Sequence, residues 1–313
     1  MEKIYKYLNL HDGLLTVENN SVALNNPYYF NDPYDSSIDY TEREFEKAVE
    51  VISDYYITKQ WLEILSNPNI KKPKFLKPFV NYRILQINKL LEKSKRNKRF
   101  YSLSYIRGLT WIALSKNDVQ INSGKTEFNE GIMKRAEVLR KETVLASCFS
   151  KVNDSILMWS HYADKHTGVC IEFERPCNDF IDVKYNNKRN LLYLSELVRK
   201  SLGYELCNEK INSKDKTVID IVLKPFIYKA KSWKYEKEVR CLLSKESNNV
   251  SYNEQCKKYL YKMPYKIKRI YLGCKIDKTC EDYINLMNLA KNNEIEVAQF
   301  DISRRKFELL EQD

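Results

Sequence analysis

Two glutamates spaced two apart, Glu236 and Glu238, form the sharpest local feature of the chain, inside the run Lys-Ser-Trp-Lys-Tyr-Glu-Lys-Glu-Val-Arg at 231–240. On an extended strand this spacing turns both carboxylates to one side. Facing a cleft, one of them can sit beside a positive charge that develops on a substrate, while the other hydrogen-bonds a nucleophile or a sugar hydroxyl. On a solvent-facing strand the same glutamates merely alternate with Lys237 and Val239.

Two further cassettes carry polar groups among aromatics. In Cys148-Phe149-Ser150, followed by Met158-Trp159-Ser160-His161-Tyr162, a strand that ends in a hydroxyl precedes a helix whose positions 158, 161 and 162 share a side. Ser150 in that place can orient a substrate. No aspartate spacing makes a triad with His161, so a structural histidine fits it as well as a base, and Trp159 fits a core as well as a cofactor platform. The run 30–35, Phe-Asn-Asp-Pro-Tyr-Asp, gathers turn formers, so Asn31 and Asp32 are expected to fold back onto local amides. Tyr28, Tyr29, Phe30 and Tyr34 around them could wall a pocket for a flat ligand or plug a core.

The elements that must position these residues are legible in outline. Residues 3–8 set Ile4, Tyr5 and Tyr7 around charged neighbours and read as a strand with Lys6 in its middle. Thr41 and Glu44 make a capping box, after which Phe45, Val49, Ile52 and Tyr56 recur at helical spacing. Helical periods continue over 75–98, 102–114 and 128–141. Strand, helix and strand follow at 143–150, 154–163 and 168–173. Helices are expected at 191–202, 218–228 and 283–290, and strands at 238–243, 267–272 and 295–300. The chain therefore reads as one α+β domain over 1–313, with its core at 1–35 and 143–313 and a helical insertion at 36–142.

Composition narrows the classes. A chain of 313 residues with 43% hydrophobic content can bury a substantial core. Its formal charge of +11 attracts polyanions at long range, although only 93–99 is a dense basic cluster. The start lacks a signal-peptide pattern and no stretch is apolar enough to span a bilayer, so the expected place is the cytoplasm, without a membrane partner. Eight cysteines without a C-x-x-C pair, beside three histidines, give poor support for a structural zinc site. No glycine-rich phosphate loop is present.

Taken in order, I-Y-K-Y, F-N-D-P-Y-D, C-F-S, M-W-S-H-Y-A, G-V-C-I-E-F, W-x-Y-E-x-E-x-R and I-Y-L-G make the chain resemble the bacterial domain-of-unknown-function family numbered 2971. More distantly, a basic residue on the first strand, a strand ending in serine before a helix and a late E-x-E strand resemble the three-part layout of ADP-ribosyltransferases. That resemblance implies a split, bent β-sheet core and NAD as co-substrate. It implies that Lys6 holds phosphate or ribose and that Ser150 fixes the neighbouring sugar, with Asn31, Asp32, Trp159, His161 and Tyr162 around the cofactor. Glu238 would stabilise the oxocarbenium-like state as the nicotinamide bond breaks, and Glu236 would serve the acceptor. The chain departs from the pattern at Lys6, where Arg or His is typical, and at C-F-S, where one branch has S-T-S.

The implied activity is transfer of ADP-ribose from NAD to a protein or nucleic acid, in a toxin or anti-phage role that leaves room for a regulatory partner. A magnesium-dependent nuclease using Asp32, Asp35, Glu236 and Glu238 is the rival enzyme. A nucleic-acid- or partner-binding module with solvated glutamates is the non-enzymatic one.

Overall fold

The computed structural model describes residues 2–71, 73–109, 130, 134, 141, 144–176, 180–212, 215–254 and 256–312. The chain divides into two compact units. One comprises Met1–Ser37, Val138–Arg189 and Phe226–Asp313; the other comprises Ile38–Glu137 and Asn190–Pro225. Residues 190–225, which the sequence pattern assigns to the core, thus gather with the helical block.

The first unit is mixed α+β. Its strands are β1 (Lys3–Leu8), β2 (Ser21–Leu24), β3 (Val144–Ser150), β4 (Val169–Glu174), β5 (Phe180–Asp182), β6 (Lys184–Asn186), β7 (Tyr228–Ala230), β8 (Glu238–Ser244), β9 (Val250–Asn253), β10 (Lys258–Lys262), β11 (Arg269–Leu272), β12 (Glu296–Ile302) and β13 (Leu309–Gln312). The main sheet runs β13-β12-β11-β4-β1-β3-β8-β5, a second runs β2-β10-β9, and β6 pairs with β7. The expected strand, helix, strand unit is present as β3, helix Ile156–Tyr162 and β4, but β1 lies between its two strands and is antiparallel to both.

The sheet alternates cleanly because each face has its own cover. Ile4, Leu145, Phe149, Ile171, Val239 and Ile270 turn to one face and join Leu14 and Val17 of helix Leu10–Asn19 in the main core. Phe149 meets Phe173 edge-on at 5.9 Å, and truncating such a ring to Ala typically destabilises by about 3–5 kcal/mol. Gly13 makes the helix contact feasible, since a Cβ there would stand 2.3 Å from a Val169 methyl. Tyr7, Trp159, Cys170, Tyr271 and Phe300 form the smaller core on the other face.

One joint of the sheet is incomplete. β1 pairs with β4 from Lys3↔Glu174 to Leu8↔Val169, yet meets β3 only at Tyr5↔Ser150. Further along β3, the backbone of Asn25 takes over, exchanging two 2.8 Å hydrogen bonds with Ala146. Between these contacts the Lys6 ammonium reaches across and donates to Cys148 O at 2.8 Å and Ser147 Oγ at 2.9 Å. A side chain satisfies there what a strand neighbour would otherwise satisfy.

The second unit is helical over its described residues, with helices Glu42–Ser66, Lys77–Arg96 and Leu194–Glu205. Thr41 caps the first by accepting from Glu44 N at 3.2 Å, as the capping box predicts. The buried stripe, however, is Phe45, Ala48, Val51 and Tyr55, while the expected Tyr56 is 56% exposed. Alanine at 48 lets the helix approach Leu192, Leu194 and Ile221, and that packing selects the face. The expected helical stretch at 128–141, apart from isolated positions, and the end of that at 102–114 lie outside the described residues. Among the described residues, no helix is long and apolar enough to cross a membrane. The cysteines described are free, and Cys177 falls outside them.

Candidate active site

A cavity of about 320 Å³ opens in the first unit beside the incomplete β1–β3 joint, a volume near the lower end for small-molecule pockets. Its wall comes from segments far apart in the chain. Lys6, Asn31, Ser150, Tyr162, Glu236 and Glu238 all line it, as do Tyr29 and Phe30. Of the sequence candidates, Asp32, Trp159 and His161 do not.

Their actual positions explain why. Trp159 is fully buried, packs edge-on to Tyr7 and Phe300, and donates its indole N–H to Asn153 O at 2.7 Å, so it is core and not a cofactor platform. His161 stands exposed on the outer side of the short helix, near the rings of Tyr162 and Tyr235. Asp32 performs the expected turn role, accepting from Tyr34 N at 2.9 Å. Asn31 instead contributes to the hydrogen bonding of the Tyr162 hydroxyl.

The two glutamates share the cavity, but not by strand alternation. Glu236 ends a 3₁₀ helix, Lys231–Glu236, and Glu238 begins β8. Between them Lys237 adopts a left-handed conformation with φ of 44°, so the chain reverses direction and sends both acids inward. At 2% and 4% exposure, neither is the solvent-facing residue that the plain alternation allowed.

Burial at this depth requires compensation, which two cations supply. Arg240 is fully buried and bidentate to Asp35, at 2.8 and 2.5 Å. Its Nε donates to Glu238 Oε1 at 2.6 Å, Nη2 reaches Glu238 Oε2 at 3.1 Å, and Nη1 also bonds Phe226 O at 2.9 Å. Lys229 of β7 donates to Glu236 Oε2 at 2.5 Å and Glu238 Oε2 at 3.3 Å, and lies 3.7 Å from Asp35. Tyr162 donates its hydroxyl to Glu236 Oε1 at 2.6 Å. Three carboxylates therefore stand against Arg240 and Lys229.

The pair is driven apart in acidity. Burial pushes the Glu238 carboxyl up, yet the adjacent Arg240 and Lys229 outweigh it and hold the group down to about 2, against an ordinary 4.5. Burial dominates at Glu236, whose repulsion from Glu238 offsets part of the help from Lys229, so its pKa is raised. Burial also raises the Tyr162 hydroxyl, the neighbouring Glu236 adding to it. Two acids with opposed shifts on one cavity are an arrangement suited to separate electrostatic and proton-transfer roles.

Ser150 and Lys6 hold the site differently from the expected manner. The Ser150 hydroxyl donates to Glu236 O at 2.7 Å and accepts from Val152 N at 3.2 Å, so it positions the Glu236 turn. Lys6 is committed to β3 through two of its three ammonium donors, and burial lowers its pKa. Cys148, half-buried on the wall, has its pKa raised by desolvation, a poor state for a nucleophilic thiol.

Sequence reasoning passed over Lys229 and the pairing of Arg240 with Asp35. The Arg240 signal was present, since 236, 238 and 240 form an E-x-E-x-R alternation. No spacing announces Lys229, because β7 is three residues long and reaches the glutamates through space.

A family model described as a protein of unknown function, DUF2971, matches residues 158–241, and the chain is similar to that family over this stretch. The match includes Tyr162, Lys229, both glutamates and Arg240, while Lys6, Asp35 and Ser150 lie before it. No curated protein and no solved structure matches the chain.

Proposed function

We propose that this cavity is the active site of an ADP-ribosyltransferase-like enzyme that transfers ADP-ribose from NAD to a macromolecular acceptor. The observation that carries the reading is the meeting, on one wall, of an ionised Glu238 and a raised-pKa Glu236 with the aromatic rings of Tyr29 and Phe30. A positively charged nicotinamide ring suits such aromatic faces. A cavity of this size takes one ring and its sugar, leaving the rest of the dinucleotide outside.

In the proposed step the bond between ribose C1′ and the nicotinamide nitrogen breaks, and the electron pair leaves with the ring, which becomes neutral. Positive charge passes to the ribose. Glu238, fixed by Arg240, opposes it with a carboxylate that need not reorganise. An acceptor oxygen or nitrogen then bonds C1′, and its proton passes to Glu236, whose raised pKa suits a general base. A toxin or anti-phage effector would use this activity.

The geometry speaks against the nuclease alternative, because Asp35, Glu236 and Glu238 converge on Arg240 and Lys229, which stand where a divalent ion would need to bind. Incubating the purified protein with NAD and labelled protein and nucleic-acid acceptors tests the proposal, with nicotinamide release as readout. Chelator-insensitive release supports it. Failure to bind or consume NAD with every acceptor overturns it in favour of a binding module.

A further inference from the structure

We infer that the turn between β12 and β13 is a docking site for single-stranded nucleic acid, with Phe307 as a stacking platform and Lys275, Arg304 and Arg305 as phosphate contacts. The turn borders a second cavity of about 410 Å³, distinct from the first, whose wall includes Ile156, His166, Lys275 and residues 302–309.

Charge is the first reason. Lys275, Arg304, Arg305 and Lys306 converge on this cavity and all are exposed. Of these only Lys306 has a carboxylate in salt-bridge range among the described residues, Glu308 at 4.0 Å. Elsewhere in the same unit, basic side chains are commonly paired, as Arg175 is with Glu2 and Asp182. Unpaired cations on a concave wall select an anion.

The wall also carries a loop in an unusual backbone conformation. His166 is half-buried, and its Nδ1 is buried without a hydrogen-bond partner. Its backbone is left-handed at φ of 73°, following Asp164 at 45° and Lys165 at 56°, so three successive non-glycine residues hold an unfavourable conformation to present this loop.

The apolar groups decide between a small anion and a polymer. Phe307 is 103% exposed and Ile302 58%, side chains that a free phosphate would not use. A ring in open solvent beside arginines is what sequence-tolerant binding of unpaired bases requires: the ring takes a base face and the cations follow the backbone. A duplex hides its base faces, so it is not the occupant. The helix Ile156–Tyr162 ties this surface to the proposed active site, since Ile156 lines the second cavity while Met158 and Tyr162 line the first. A strand held at 302–309 would lie within one short helix of the glutamates, as a nucleic-acid acceptor requires.

The test is fluorescence anisotropy of the full chain with labelled oligothymidylate and oligouridylate, measured without NAD, so that its result stands apart from the transferase reading. Phe307→Ala is expected to weaken binding by about 5- to 150-fold with little change in salt dependence, the range for loss of one stacked base. Replacing Lys275, Arg304 and Arg305 together by alanine should flatten the slope of log affinity against log salt by about 2, at about 0.7 per phosphate contact. Lys291→Ala, on helix Glu281–Asn292, is a control for net charge and should change little. All of these side chains are exposed, and unchanged thermal unfolding would confirm that each variant folds. Undetectable oligonucleotide binding, equal affinity for a duplex, full competition by equimolar inorganic phosphate, preference for phosphatidylserine vesicles, or indifference to Phe307→Ala would overturn the inference.

Discussion

Arg240 and Asp35, 205 positions apart, meet through two hydrogen bonds of 2.8 and 2.5 Å in a region where the guanidinium has no exposure and Asp35 only 1%. This contact links the turn at 30–35 to β8, and on it depends whether Glu238 faces the cavity with a defined charge. Asp35→Asn should therefore destabilise the protein by about 3–5 kcal/mol, the usual loss when one partner of a buried pair is removed. Asp32→Ala, which deletes one cap on Tyr34 N, should cost only about 1 kcal/mol. Urea unfolding of both variants measures the difference. Equal midpoints would show that the buried pair adds nothing beyond the turn.

Acid should weaken the same region, and the sign follows from Glu238. Its folded pKa lies near 2, below an unfolded value near 4.5, so its stabilisation is complete above the unfolded value and fades as pH falls toward 2. The contribution is on the order of 2–4 kcal/mol, because each tenfold gain in acidity on folding is worth about 1.4 kcal/mol. Glu238→Gln should be less stable than the parent at neutral pH, and the two should converge between pH 4.5 and 2. Glu236, raised by burial, has the opposite sign: it favours folding in its protonated form, and that contribution is lost as pH rises above its unfolded value. Parallel stability curves for parent and Glu238→Gln would contradict the assignment.

The main-sheet strands were legible where alternation was long. β1, β3, β4, β8, β11 and β12 each carry four to seven residues, long enough for apolar side chains to mark the strand period. β5, β6 and β7 have three residues each, too few for a period, and β9 and β10 set Tyr, Lys, Ser and Asn around a single buried side chain, Tyr261. Helix Leu10–Asn19 went unread because Gly13 interrupts its propensity, although that glycine is what the contact with Val169 requires. At the site, residue types pointed to Glu236, Glu238, Lys6 and Ser150, but not to the bonds they make. Those depend on a left-handed Lys237 and a remote Lys229, which local spacing does not encode.

Tyr162 offers a test of the proton-transfer role. Its hydroxyl donates to Glu236 and so favours the charged carboxylate, in opposition to burial. Tyr162→Phe removes that donor and should raise the Glu236 pKa further. If Glu236 acts as a base, the acidic limb of the pH–rate profile for acceptor labelling should move to higher pH in the variant. A limb that stays in place would separate Glu236 from the rate.

The division of labour between the glutamates predicts two different kinetic phenotypes. Glu238 opposes charge that appears only as the nicotinamide bond breaks, so Glu238→Gln should leave NAD affinity nearly intact and lower nicotinamide release by about a hundred- to a thousand-fold. Because that variant also removes the charged partner that Arg240 and Lys229 both contact, it must be assayed where its unfolding curve shows a folded population. Arg240→Lys is the companion: it keeps the positive charge but loses the two-pronged contacts to Asp35 and Glu238, so it should lower turnover through misplacement of Glu238. Glu236→Gln should behave otherwise. It should depress acceptor labelling more than background NAD hydrolysis, since the proton it would take belongs to the incoming nucleophile and water needs less help of that kind than a macromolecular acceptor. Nicotinamide release and acceptor labelling, followed together for all three variants, distinguish these outcomes. Parent-like rates for Glu238→Gln would end the mechanism, and equal loss of both readouts in Glu236→Gln would end the separation of roles while leaving the cavity as the reaction site.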